Sequence, residues 1–363
     1  MADVKLKNLT KRFGKVIAVS HLDLEVKNGE FACILGPSGC GKTTTLRMIA
    51  GLEKQDEGDV YIGDRVVNDL SPPERDIAMV FQFYAIYPGM TVYDNLAFPL
   101  KQRKLPKTEI DTQVKETASL LQINDILNKD AISLTAGEKQ RIALGRAFVR
   151  KPQVYLLDEP LTNLDAGLRA VMRVELKRLQ KEIRQTTIYV THDQLEGMSM
   201  ADRIAVMNLG VLQQYGSPDS LFSNPSNLFV AGFIGTPTMN FLECTYREES
   251  GRAKLVFDSF SLDVNRYKEI IEKEKQSEDM VLGVRPTDIK IEKERTEDGL
   301  IQAKVDIIEL TGDESIVDLS VGKNIVRSVV PRRFPVKHDE KVWLKLDLNA
   351  LHIFDKHTEK AIL

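Results

Sequence analysis

The sequence predicts an α/β domain followed by a smaller all-β domain. Three features of the 363-residue chain carry this. Short apolar runs alternate with helical patterns up to about Gly235. A glycine-rich loop joins one of these runs to a helix. After "GTPT" (Gly235–Thr238) the pattern changes to period two.

Taken in order, "FACIL" reads as a buried strand and "GKTTTLRMIAGL" as the helix after it. From about Pro88 to Arg150 strand signals are few, so a mostly helical insert is expected over about 88–150. "VYLLDEP" is a second buried strand and "AGLRAVMRVELKRLQKEI" a second helix. The "GTPT" turn sets the expected division at 1–235 and 236–363. In the second part Ile301, Ala303, Val305 and Ile307 alternate with polar neighbours. Val342, Leu344, Leu346 and Leu348 alternate with Trp343, Lys345 and Asp347. Turns such as "TGDES" and "VGKN" separate these runs, as in a small barrel or sandwich. "EIIEKEKQSED" reads as a solvated helix or loop.

Composition narrows the function. An apolar fraction of 42% supports substantial cores, and a net charge of −3 gives no basic field to attract nucleic acid. Cys33, Cys40 and Cys244 lack CxxC spacing, which suggests a reducing compartment and no disulfide framework. The N-terminus has no apolar signal core, and no run approaches the ~18 apolar residues that span a bilayer. A membrane role is therefore expected to go through partners.

"GPSGCGKTT" (Gly36, Pro37, Ser38, Gly39, Cys40, Gly41, Lys42, Thr43, Thr44) fits G-x-x-x-x-G-K-[ST] between a strand and a helix. Its glycines let backbone N–H groups curl around phosphates. Lys42 can reach the β- and γ-phosphates, and the Thr43 hydroxyl can ligate Mg²⁺. ATP and Mg²⁺ are the expected cofactors. At the end of "VYLLDEP", Asp158 can hold Mg²⁺ and Glu159 can orient or deprotonate a water. Gln82, after the apolar run "IAMVF", can offer its side-chain oxygen to Mg²⁺ or water. His192, after a β-branched run, can bond a γ-phosphate oxygen and hold the attacking water. Asp165, in "TNLDAGLR", reads as a cap of the helix that follows.

These pieces, in this order, resemble the ATP-binding subunit of ABC transporters over essentially the whole chain. "RMIAGLE", "VTHDQLEGMSMADRIAVMN" and "NLFVAGFIGTPTMNFLE" resemble in particular the carbohydrate-uptake importers of the maltose, multiple-sugar and glycerol-3-phosphate type. "GVRPTDIKI" and "LHIF" resemble segments of their C-terminal domain. The resemblance implies a P-loop NTPase (ABC ATPase) domain with a helical subdomain, then an OB-like (TOBE) regulatory domain. It implies Glu159 and His192 as the catalytic pair and Thr43, Gln82 and Asp158 as metal ligands. It places Phe13 where an aromatic stacks on adenine; taken alone, Phe13 reads equally as a core residue. It makes "LTAGE" the signature turn, with Thr135, Ala136, Gly137, Glu138 and Asp165 facing an ATP bound by a second subunit. Thr135, Ala136 and Glu138 depart from the usual LSGGQ. T-x-x-E spacing also makes Thr135 and Glu138 a candidate capping box, which would turn the Glu138 carboxylate away from phosphate.

The implied partners are a second ATPase subunit, identical or paralogous, two membrane permeases, and indirectly an extracytoplasmic solute-binding protein. Coupling helices of the permeases would enter a groove near Tyr84 to Tyr93. The implied location is peripheral, on the cytoplasmic face of a prokaryotic inner membrane. A soluble ABC-type ATPase with a regulatory role is the alternative. A small-molecule kinase shares the phosphate loop but leaves "LTAGE", "NLD" and His192 without a purpose.

Overall fold

The computed structural model describes residues 2–82, 85–249, 251–295 and 300–363. Tyr84, in the expected coupling groove, lies outside them. The chain divides into two compact units, Met1–Pro218 and Asp219–Leu363. This division falls before the expected Gly235, because the residues between bond to the second unit, as shown below.

The elements of the first unit are, in order, β1 (Val4–Phe13), β2 (Val16–Val26), β3 (Phe31–Leu35), α1 (Lys42–Ala50), β4 (Glu57–Ile62), β5 (Arg65–Val66) and β6 (Ile77–Val80). The helical insert follows with α2 (Val92–Gln102), α3 (Lys107–Leu120) and α4 (Ala136–Phe148). Then come β7 (Val154–Asp158), α5 (Ala166–Ile183), β8 (Thr186–Thr191), α6 (Gln194–Met200), β9 (Arg203–Asn208) and β10 (Val211–Gly216).

β1, β2, β4 and β5 form an antiparallel sheet in the order β2-β1-β4-β5. The larger sheet has the order β10-β9-β3-β8-β7-β6 and is parallel except for β10. Every residue of β3, β7 and β8 is buried. That explains why β3 and β7 read as apolar runs rather than alternations: a parallel strand covered on both faces has no solvent side. From α1, Leu46, Met48 and Ile49 are fully buried and join Ile34, Leu156, Ile188 and Val190 in one core. Each such side chain contributes about 2 kcal/mol by leaving water.

Register fixes what the sheet presents at its carboxyl edge. Leu35 pairs with Thr191, Asp158 with Val190, and Val80 with Leu157. Four adjacent strands, β6, β7, β8 and β3, therefore end at a common level. The segments that begin there carry Gln82, Glu159, His192 and Gly36. Open parallel sheets hold ligands at this edge.

The second unit contains α7 (Pro218–Ser223), whose first residue closes the first unit, α8 (Leu228–Phe233), β11 (Asn240–Glu249), β12 (Arg252–Val256), β13 (Ser261–Asp263) and α9 (Lys268–Glu274). It continues with β14 (Asp279–Val284), β15 (Ile289–Glu292), β16 (Ile301–Leu310), β17 (Glu314–Val321), β18 (Asn324–Pro331), β19 (Lys341–Leu346) and β20 (His352–Asp355). Two five-stranded antiparallel sheets, β13-β12-β11-β14-β20 and β15-β19-β16-β17-β18, share one apolar core. Ile301, Ala303 and Val305 point inward as expected, but Ile307 is 62% exposed. A register shift between Val305 and Ile307 inserts one residue against β17 and turns Ile307 outward. The "EIIEKEKQSED" stretch is largely α9, with Ile271 fully buried beneath it. Arg285, in "GVRPTDIKI", explains the early boundary. Its buried guanidinium donates to Phe222 O at 2.7 Å, to Ala231 O and to Ile234 O, so the carbonyl ends of α7 and α8 are held by the residue that follows β14. Burial lowers its pKa to about 10, which still leaves it charged at neutral pH.

Candidate active site

The loop Gly36–Gly41 leaves β3 and turns into α1. Its shape needs glycine at two close approaches. A Cβ on Gly36 would lie 2.3 Å from Met207 O, and one on Gly41 2.3 Å from Ala18 O. Gly39 and Gly41 have φ of +79° and +102°. This alternation curls successive amides toward one side, the geometry of an anion nest at a helix N-terminus. Gly41 caps α1 without a side chain, so the first amides of the helix are not consumed by a capping group. The turn between β9 and β10 braces the loop, with Gly210 N donating to Cys40 O at 3.1 Å.

Pro37 is half-buried, Ser38 and Gly39 are exposed, and Cys40 is buried. Thr43 and Thr44 are half-buried on the first turn of α1. Lys42 is buried, and its Nζ donates to Gly36 O at 2.8 Å and Pro37 O at 2.9 Å. The ammonium is thus held inside the loop it serves. Thr43 Oγ1 donates to Asp158 Oδ1 at 3.0 Å. Burial holds the Asp158 carboxyl above its ordinary value, against the Thr43 bond and nearby Arg47 and Lys42. Among the described residues no group of three His, Cys, Asp or Glu side chains could enclose a metal. The Thr43–Asp158 oxygen pair instead suits a cation such as Mg²⁺, which keeps waters and phosphate oxygens as its other ligands.

Glu159 is the hub of the carboxyl edge. Its backbone N–H donates to Val190 O at 2.9 Å, and its φ is +44°. A non-glycine residue in this region carries strain of order 1–3 kcal/mol and persists where surroundings over-determine it. The side chain is fixed on both oxygens. His192 Nδ1 lies 3.2 Å from Oε1, while Gln82 Nε2 and Thr162 Oγ1 each donate to Oε2 at 3.2 Å. The structure therefore brings Gln82, Glu159 and His192 together, and separately pairs Thr43 with Asp158. Gln82 spends its side-chain amide on Glu159 here rather than on the Thr43–Asp158 pair. Its backbone carbonyl accepts from Asn163 Nδ2 at 3.0 Å. Thr162 and Asn163 were not anticipated from the sequence. Thr162 acts within its own loop, three residues from Glu159, whereas the role of Asn163 is visible only once β6 and β7 lie side by side.

Phe13 stands at the end of β1 and is 49% exposed, which removes the core reading. The Nζ of Lys11 lies 5.1 Å from its ring centre. Asp165 caps α5, accepting from Leu168 N at 2.9 Å. Thr135 caps α4. Its Oγ1 accepts from Glu138 N at 3.3 Å, and Glu138 Oε2 accepts from both Thr135 N and Thr135 Oγ1 at 2.8 Å. These bonds hold the Glu138 carboxyl below its ordinary value, ionised and folded back on the turn. Thr135 and Ala136 are exposed. Gly137 is buried against Leu168, which a Cβ would meet at 2.2 Å.

Residues 19–162 match the family model of the ABC transporter, residues 235–289 that of the MalK OB fold domain, and residues 282–354 that of the TOBE domain. The Trehalose/maltose import ATP-binding protein MalK of Thermococcus litoralis is 50% identical over 378 residues, spanning all of both chains. The chain belongs to the MalK-type ATP-binding subunits of ABC transporters.

Oligosaccharides import ATP-binding protein MsmX of Bacillus subtilis is 42% identical, again over the whole of both chains. Among solved structures, cbiO1 of Clostridium perfringens, part of an ABC transporter complex, superposes with a TM-score of 0.57 at 28% identity. It covers 61% of this chain and 90% of its own. The ATP-binding cassette MJ0796, a dimer in a post-hydrolysis state, gives 0.54 at 32% identity over 59% of this chain and 98% of its own. This MalK-type subunit is accordingly a nucleotide-binding ATPase that energises solute import. Such subunits dimerise and work with membrane permeases. Among the described residues no helix is long and apolar enough to cross a membrane.

Proposed function

We propose that this subunit hydrolyses Mg-ATP with Glu159 as general base, and thereby drives uptake of a carbohydrate or polyol. The observation that carries the chemistry is the fixed Glu159 carboxylate, bonded by Gln82, Thr162 and His192 at the carboxyl edge of β7. The loop amides and Lys42 hold the phosphates, and Phe13 covers the adenine. Thr43 and Asp158 would hold Mg²⁺, with the side-chain oxygen of Gln82, whose Nε2 stays on Glu159, as a further ligand; the ion would neutralise phosphate charge. Glu159 takes a proton from water, while His192 keeps that water in line.

The second ATPase subunit presents its own Thr135–Glu138 turn and Asp165 to this chain's nucleotide, and receives the same in return. The Thr135–Glu138 capping box favours a second copy of this chain over a paralogue. The Glu138 carboxylate is already bonded by Thr135, so no partner is needed to offset its charge. Gln at this position keeps the box. Converting Ala136→Gly together with Glu138→Gln is therefore expected to change the ATPase rate of the assembled transporter by less than about threefold. A tenfold rise would show a detuned turn and favour a paralogous partner.

Two membrane permeases complete the complex on the cytoplasmic face of a prokaryotic inner membrane. An extracytoplasmic binding protein acts through them, and nucleic acid has no part. Relatives named for trehalose/maltose and for oligosaccharides support the solute class. The test is ATP hydrolysis by the complex in vesicles with its binding protein, scanned across disaccharides, polyols and amino-acid osmolytes. Stimulation by a carbohydrate or polyol is expected. Stimulation by amino-acid osmolytes alone would overturn the solute class.

A further inference from the structure

Arg169 reaches two loops of the site without facing the nucleotide groups. It stands on the first turn of α5, and its backbone N–H donates to Asp165 O at 2.9 Å. Its Nη2 donates to Thr162 O at 3.3 Å and Leu164 O at 3.1 Å. Its Nη1 lies 3.6 Å from Asp193 Oδ2. The guanidinium thus clasps two carbonyls of the loop that follows Glu159, the backbone bond to Asp165 O being the ordinary first bond of the helix, and the same guanidinium faces the residue after His192. The planar fork of arginine donates from separate nitrogens, so it can reach acceptors on two loops at once, whereas a lysine ammonium must gather its acceptors around one point.

The loop on the other side is firm. Asp193 Oδ1 caps α6, accepting from Leu195 N at 2.8 Å and Glu196 N at 3.3 Å. Asp193 N donates to Thr191 Oγ1 at 3.0 Å. Behind them the buried Glu196 carboxylate accepts from Tyr189 OH at 2.8 Å and Thr191 Oγ1 at 2.7 Å. His192 is therefore carried on a segment pinned from both sides. The two loops meet twice, at His192–Glu159 and at Arg169–Asp193.

A half-exposed ion pair at this distance adds little by itself. Its value here is geometric. We infer that Arg169 is a positioning residue that locks the Glu159–Asp165 loop to the His192 loop, so that the general base and the water-holding histidine move as one body. Because Asp165 ends the clasped loop and is proposed to act on the partner's nucleotide, the same clasp ties the geometry of one site to that of the other. This rests on the proposed roles of Glu159, His192 and Asp165.

The test is a double-mutant cycle in the assembled transporter with Arg169→Ala and Asp193→Asn, reading kcat, KM for ATP and thermal midpoint. Asn caps a helix as well as Asp does, so the second change removes the charge and keeps α6. Each single change is expected to lower kcat about tenfold with KM within twofold. The double variant should be no worse than the poorer single one, the non-additivity of groups acting as a unit. Arg169→Lys should fall between wild type and Arg169→Ala. Independent effects that multiply to a hundredfold loss would overturn the clasp, as would wild-type kcat for Asp193→Asn. If Arg169→Ala does not fold, Arg169→Lys and Asp193→Asn decide: wild-type kcat in either overturns it, and a loss in both supports it. Glu159→Gln measured alongside separates the two levels. Wild-type turnover there removes the parent reading, whereas an inactive Glu159→Gln with a multiplying cycle removes this inference alone.

Discussion

Glu159→Gln is expected to lower the ATPase kcat of the assembled transporter by 10²–10³-fold while the ATP dissociation constant stays within about twofold. The carboxylate is the one group at the carboxyl edge bonded at once by Gln82, Thr162 and His192. A glutamine keeps the shape and can still accept from Gln82 Nε2 and Thr162 Oγ1, so the loop and its φ of +44° have no reason to change. What disappears is the ability to take a proton. General-base catalysis is worth about 10²–10⁴-fold, and a 10³-fold loss corresponds to roughly 4 kcal/mol of barrier. The phosphate loop lies on a different strand and keeps its amides. Turnover near the wild-type rate would remove Glu159 from the chemistry.

Lys42→Ala is expected to act on the other half of the site. Its Nζ is buried and held by Gly36 O and Pro37 O, which sets the ammonium beside the nest of amides. Removing it takes the fixed positive charge out of the phosphate site and strips two carbonyls of their donor. Charge-assisted hydrogen bonds are worth about 1.5–3 kcal/mol each. ATP binding by the purified subunit, measured by calorimetry, should weaken by roughly 10–10²-fold. A dissociation constant within threefold of wild type would show that the amides alone hold the phosphates. The two substitutions therefore separate binding from turnover, and a site that lost both together would be misassigned.

Local features of this molecule that carry a pattern were legible from sequence and long-range ones were not. The buried runs of β3 and β7 announce themselves because parallel strands covered on both faces are apolar throughout. The Thr135–Glu138 box is legible because both partners lie within one turn. Glycine at Gly36 and Gly41 follows from a motif, although the reasons for it, Met207 O and Ala18 O, belong to distant strands. Ile307 misled because a bulge shifts the period by one residue, and a one-residue insertion leaves no trace in an alternation count. The boundary moved from Gly235 to Pro218 because Arg285, fifty residues downstream of α8, holds the ends of α7 and α8. Thr162 and Arg169 hydrogen-bond to partners within three to seven residues, and only Asn163 bonds to a distant segment, at the Gln82 carbonyl; no spacing motif marks any of these contacts.

The central claim is that hydrolysis at this subunit's own site drives solute import. Uptake of a labelled disaccharide into vesicles that carry the permeases, the binding protein and this subunit tests it most directly, with ATP supplied on the side the subunit faces. Wild-type complexes should accumulate sugar only with ATP, and complexes carrying Glu159→Gln should bind ATP yet accumulate none beyond the level without ATP. Continued accumulation with Glu159→Gln, or wild-type hydrolysis that never moves solute, would contradict the account.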